Sequence, residues 1–398
     1  MTNFHIPLGP KIGIHAQKPT PELFQQLERA AAQGTPFPVV KLTQEQTSLR
    51  DVKERSPQTL TMARIVGPMD GLGGIDAISP GDAPLWAEQI MAPVFDYYAR
   101  NPGLVEFIDI QEIVNEPDPP TVNGWRNMGL VMKECIKLGR QRVPGLAWAI
   151  GSFNAGTPEW NEMVAFLDSG VLDGARQAGD VVLAVHEGVL DPNAPIDQGH
   201  NGLIPGAPQI PPGGGALFGR VAYLALAAGS DMVPVVVSEG YLQAYGNSAE
   251  IQRRAAWVDN LYSGLWYMVA VLPFTHSPTA PWQHQNYTGA YPDILNYMAT
   301  VRQRQNAPPA QRQPAETVEA FIWRQSNERD TINPQAALQR AIFQAGYVPY
   351  STEFWQEAPD GATYAIQTAF RWDTNQRAVA FVKVPEWGNV RMIRGPGG

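Results

Sequence analysis

Short apolar runs rich in β-branched residues recur along the chain as far as Phe274. Longer stretches with apolar residues three and four apart lie between them. The runs predict strands over Ile12–His15, Pro38–Leu42, Met62–Val66, Phe107–Val114, Leu146–Ile150, Val181–His186, Val233–Ser238 and Val269–Phe274. Most are apolar at consecutive positions, as parallel strands covered by helices on both sides must be. The intervening stretches predict helices over Pro21–Gln33, Leu85–Arg100, Asn123–Arg142, Trp160–Leu167, Gly219–Ala228 and Ala249–Tyr262. Asn247 before the last of these, with Glu250 three residues on, has the spacing of a capping box.

Strands alternating with helices through this length form the pattern of an α/β fold, a (β/α)8 TIM barrel. An open doubly wound sheet would want a Gly-rich phosphate loop after an early strand, whereas Gly71-Leu72-Gly73-Gly74 reads as a turn. The expected domains are a barrel over 1–305, a Pro-rich linker and connecting segment over 306–333, and a small α+β appendage over 334–398. In the appendage, Pro334–Ala345 reads as a helix, and Thr363–Arg371 and Ala378–Val384 as strands. Its aromatics (Tyr347, Tyr350, Phe354, Trp355, Trp372 and Trp387) suit either a small-domain core or a face for a protein or glycan partner. The stretch from Glu187 to Gly219 is long and rich in Gly and Pro. Following the sixth strand, it is expected to fold over the barrel mouth as one wall of a cleft.

Composition narrows the classes. With 29 Lys plus Arg against 38 Asp plus Glu, the net charge is −9. That balance argues against a nucleic-acid partner, whose binder neutralises phosphates. No stretch is apolar for long enough to insert in a membrane. Cys135 is the only cysteine, so an intrachain disulfide and a Cys-rich zinc site are both excluded. The residues from Met1 to Pro7 do not read as a signal peptide. The expected location is the cytoplasm, or a phage particle, or outside the cell after release by lysis.

Two acids stand where apolar strands stop. The fourth strand runs into Glu112-Ile113-Val114-Asn115-Glu116-Pro117 and the seventh into Val236-Val237-Ser238-Glu239-Gly240-Tyr241. A carboxylate there is costly unless it is paired or used, and the C-terminal strand ends are where barrel enzymes keep their chemistry. Two carboxylates facing each other are what glycoside hydrolysis needs. Gly-x-Ser-x-Gly and HExxH are both absent, so a Ser-His-Asp hydrolase and a catalytic zinc are disfavoured, and no cofactor or metal is expected.

The Asn-Glu-Pro after strand four and the Glu after strand seven resemble clan A of the (β/α)8 glycoside hydrolases, which includes cellulases, mannanases and β-xylosidases. The resemblance implies a retaining hydrolase in which Glu116 is the acid/base and Glu239 the nucleophile. It also implies that Asn115 holds a sugar hydroxyl and that His186 lies near the nucleophile. Among the remaining polar strand residues, His15, Lys41 and Arg64 are placed to orient a sugar hydroxyl or the nucleophile, or to satisfy Glu112; for Arg64 a structural pair is expected. Tyr241 and Trp282 are candidate walls for the sugar, with Phe274 and His276 also near the end of strand eight. Glu187 reads equally as a third acid or a loop charge. The expected substrate is an oligo- or polysaccharide. The alternative is a barrel that binds carbohydrate or serves as a structural component without cleaving.

Overall fold

The structure, a computed structural model, describes residues 6–305 except 8, 66, 68–71, 189–201, 212–213, 243–247, 264, 266 and 281. Further on it describes 338, 342, 345, 347–349, 354–358, 360, 362–371, 376–383 and 390–394. The chain divides into two compact units. One comprises 1–7, 11–258 and 267–296, the other 8–10, 259–266 and 297–398.

The first unit holds the expected barrel. Its strands are β1 (Ile14–Ala16), β2 (Val39–Leu42), β3 (Leu60–Arg64), β4 (Ile110–Glu112), β5 (Ala147–Phe153), β6 (Val181–Gly188), β7 (Val235–Tyr241) and β8 (Met268–Pro273), each paired parallel with the next. Bridges from Ile12 to Val271 and from Ala16 to His276 bring β8 back to β1. One apolar cluster draws on β2 to β8, including Val39, Met62, Ile110, Ala149, Ala184, Val236 and Leu272, all fully buried. This is why the strands read as apolar on both faces: one face fills the barrel and the other meets the helices.

The helices are α1 (Pro21–Ala32), α2 (Leu49–Arg55), α3 (Ala83–Arg100), α4 (Val122–Arg142), α5 (Trp160–Leu167), α6 (Ala175–Ala178), α7 (Arg220–Ala228), α8 (Ser248–Ser263) and α9 (Tyr291–Gln305). Thr20 caps α1 by accepting from Leu23 N, and Thr121 caps α4 by accepting from Gly124 N. The capping residue expected for α8, Asn247, lies outside the described residues. No helix among the described residues is long and apolar enough to cross a membrane.

The second unit carries an antiparallel sheet. Strands β10 (Phe354–Glu357), β11 (Thr363–Arg371), β12 (Gln376–Lys383) and β13 (Arg391–Arg394) pair in sequence order, and β9 (Val348–Pro349) pairs with the far end of β11. Alternate residues serve opposite faces. Tyr364, Ile366, Val379 and Phe381 join one apolar cluster, while Ala365, Ala369, Ala378, Ala380 and Val382 join another with Leu338, Ile342 and Tyr347. Tyr347 is therefore core. The side chains of Tyr350, Phe354, Trp355, Trp372 and Trp387, and the stretch 306–337, lie outside the described residues.

Candidate active site

Strands β1 to β7 each deliver a polar side chain to one region at their C-terminal ends. Glu239 on β7 is almost fully buried, and burial alone would oppose its charge. His186, Arg64 and Lys41 outweigh that penalty and hold its carboxyl well below the usual range. Its two oxygens have different company. Oε1 accepts from Arg64 Nη1 at 2.5 Å and faces His15 Nε2 at 3.6 Å and Lys41 Nζ at 3.7 Å. Oε2 accepts from the Tyr241 hydroxyl at 2.8 Å, with His186 Nδ1 3.8 Å away.

Glu116 follows β4 and sits in a left-handed backbone conformation, φ 49°, with its N–H donating to Ser152 O at 3.0 Å. Such a φ is uncommon for a residue with a Cβ and persists where the surroundings over-determine it. Its side chain is 35% exposed, and Oε1 lies 3.0 Å from His186 Nδ1 and 3.4 Å from the Tyr241 hydroxyl. Tyr241 and His186 thus span the two acids, and Glu116, His186 and Glu239 each offer an atom within 4.8 Å of the other two. Asn115 accepts from Arg64 through Oδ1.

Below this layer lies a second ionic group. Lys41 and Glu112 are both fully buried and pair at 2.7 Å. Glu112 Oε1 also accepts from Ser152 Oγ at 2.9 Å and Ser238 Oγ at 2.8 Å. Lys41 therefore satisfies Glu112, with no surface open to a cleft. Arg64 departs from the expected structural pair, because its guanidinium reaches Glu239 and Asn115. The serines had no signal in the sequence.

The aromatic residues form a chain. Phe274, just past β8 and 3% exposed, contacts the rings of His15 at 4.7 Å, Tyr241 at 5.3 Å and Trp282 at 5.5 Å. Trp282 meets Phe274 edge-on and is 38% exposed. His276 turns away from the acids, its Nε2 3.1 Å from Thr20 Oγ1. Burial holds the His15 ring well below the ordinary histidine range, so it is neutral, and its Nδ1 contacts Thr275 Oγ1 at 2.7 Å.

Glu187 is neither a third acid of the site nor a loop charge. Side chains alternate along β6, so His186 faces the acids while Glu187 faces the helix layer. There its carboxylate accepts from Gly219 N at 2.9 Å and Val221 N at 2.8 Å, closing the start of α7. Burial pushes Glu187 up to about 7, against those N–H groups and Arg220. A folded-state value above the ordinary 4.5 means that the folded chain holds an extra proton between the two. The stability this contributes is full below about pH 4.5 and is lost as pH rises through about 7. The melting temperature of Glu187→Gln is accordingly expected to decline less between pH 5 and pH 8 than that of the wild type. Parallel melting curves across that range would refute the assignment.

The rest of the Gly/Pro-rich stretch is anchored where it is described. Gly188 N donates to Leu217 O at 3.2 Å, the Tyr223 hydroxyl donates to Gly202 O at 2.9 Å, and Ile204 N donates to that hydroxyl at 3.3 Å. Ile204 and Phe218 are fully buried. Of the stretch expected to cover the mouth, 189–201 and 212–213 lie outside the described residues.

Glu116, His186 and Glu239 are also the set among the described residues with the spacing of metal ligands. A cation bound there would face the guanidinium of Arg64 and the ammonium of Lys41 beside Glu239. That repulsion makes the set a poor fit for a metal.

No protein-family model matches the chain, and no curated protein matches it. Solved structures to which it is similar include a β-mannanase from Thermomonospora fusca, at 12% identity over 70% of this chain and 82% of that one, TM-score 0.39. Another is a GH5-4 broad-specificity endoglucanase from Clostridium longisporum, at 9% identity over 73% and 94%, TM-score 0.43. A third is an endo-β-1,4-mannanase from Thermotoga petrophila, at 9% identity over 98% and 97%, TM-score 0.42.

Proposed function

We propose that the chain is a retaining glycosidase acting on a β-linked oligo- or polysaccharide. The observation that supports this best is the approach of Glu116 and Glu239, from the ends of β4 and β7, to within 4.8 Å between carboxylate oxygens. Retaining enzymes keep the two carboxyl groups roughly 5–5.5 Å apart, whereas inverting ones leave roughly 6.5–9.5 Å for a water.

In this reading Glu239 is the nucleophile. Arg64 fixes its Oε1, leaving Oε2 to attack the anomeric carbon. The more exposed Glu116 donates its proton to the glycosidic oxygen, and the leaving alcohol departs. Glu116, now a carboxylate, takes a proton from water as the water oxygen attacks the same carbon. The bond to Glu239 breaks and its electron pair returns to the carboxylate. Tyr241, donating to Oε2, aligns the nucleophile, and its contact with both acids keeps their separation fixed. Asn115 has Oδ1 engaged by Arg64, which leaves its NH2 to donate to a sugar hydroxyl. Trp282, braced edge-on by Phe274, offers an exposed ring face to the pyranose.

The test is a panel of p-nitrophenyl β-glycosides and short β-linked oligosaccharides, with the product followed by proton NMR. The β-anomer is expected first. An α-anomer appearing first, or no turnover of any β-glycoside, would overturn the reading.

A further inference from the structure

The buried Lys41–Glu112 pair takes no direct part in that chemistry, yet it lies against the nucleophile. Glu112 anchors it: Oε1 is held by Ser152 on β5 and Ser238 on β7, and Oε2 is 2.7 Å from Lys41 Nζ. Taking both charges out of water is expensive, and an apolar pair of similar volume would often serve stability as well. The second carboxylate facing the ammonium is Glu239, whose Oε1 is 3.7 Å away.

We propose that Lys41 is a positioning residue that assists Glu239 as a leaving group in the second half of the reaction. The inference rests on the reading of Glu239 as nucleophile. While the sugar is bound to Glu239 the ester carries no charge. As water attacks the anomeric carbon and gives its proton to Glu116, the carbon–oxygen bond breaks and the electron pair moves onto the carboxylate. The attraction to a fixed ammonium therefore grows toward that transition state, which is the condition for accelerating the step. In the first half the same charge is being lost, so Lys41 gives no such help there.

Lys41→Met alone leaves Glu112 uncompensated, so the double variant K41M/E112Q accompanies it, removing both charges together. On an activated aryl glycoside both variants are expected to slow release of the sugar about tenfold. Formation of the glycosyl-enzyme should be undiminished, so a burst of aryl alcohol precedes the steady state. The second readout needs no activity: carbon-13 NMR titration of the Glu239 carboxyl, whose other charged and titratable neighbours are Arg64, His15, His186, Tyr241 and Glu116. Its midpoint should move up in both variants. A folded double variant with an unmoved Glu239 titration overturns the proposal whatever the activity, as does equal slowing of both half-reactions. Failure of the wild type to turn over any β-glycoside sinks the glycosidase reading instead.

Discussion

Replacing Glu239 with Gln is expected to lower kcat/KM on aryl β-glycosides by on the order of 10⁴-fold or more, the scale seen when a covalent nucleophile is removed. Gln preserves the volume and can still accept from Tyr241, so the melting temperature should change far less than the activity. The substitution leaves Lys41 its partner Glu112 and leaves Arg64 its bond to Asn115. Hydrolysis within tenfold of the wild type, in protein shown by calorimetry to be folded, would remove Glu239 from the mechanism.

The second large effect is expected at Glu116, and its size should depend on the leaving group. A general acid supplies roughly 10²–10⁴-fold. Glu116→Ala should lose that whole factor in kcat/KM on β-linked oligosaccharides, whose alcohols need a proton to depart. On 2,4-dinitrophenyl glycosides the first step needs no acid, so kcat/KM should be nearly kept while kcat falls with the second step. Azide, a strong nucleophile that needs no base, should restore kcat and yield a glycosyl azide of retained configuration. Equal losses on both substrate types, with no azide product, would show that Glu116 does not handle the proton.

The barrel was legible because its strands are buried on both faces. Most of the eight runs, such as Val235-Val236-Val237, have no polar side to show, and the structure has a strand overlapping each of the eight. Helix α2 has too few residues for a period to emerge. Helix α9 was there to be read, since Ile294, Leu295, Met298 and Val301 follow helical spacing and are buried. In the second unit β9 pairs through two residues and β13 carries Arg at both ends, so neither shows an apolar pattern.

The acids were legible for a different reason: a carboxylate closing an apolar strand needs a cause. Their partners were not, because those depend on register and local breaks in it. Arg64 lies opposite Glu112 in the β3–β4 pairing, which is why a structural pair is the natural expectation. Lys41 already occupies Glu112, and the guanidinium reaches across to Glu239 instead. Ser238 and Glu239 are consecutive and should face opposite ways, yet both serve the acid cluster. The pairing shifts between Val237 and Gly240, as it does between Gly151 and Phe153 around Ser152. Such irregularities re-aim side chains, and nothing in a run of valines announces them. Glu187 shows the converse: strict alternation after His186 places it on the helix side, a consequence that the strand pattern already contained.

Covalent capture tests the central claim, that Glu239 forms a bond to the sugar. The protein would be incubated with a panel of 2,4-dinitrophenyl 2-deoxy-2-fluoro-β-glycosides, in which fluorine slows both steps and the activated leaving group restores the first alone, so that the glycosyl-enzyme accumulates. The intact mass should rise by one fluoroglycosyl group, and the label should map by peptide mass spectrometry to Glu239. Hydrolysis of the parent glycosides without any such adduct, or a label on another residue, would contradict the assignment.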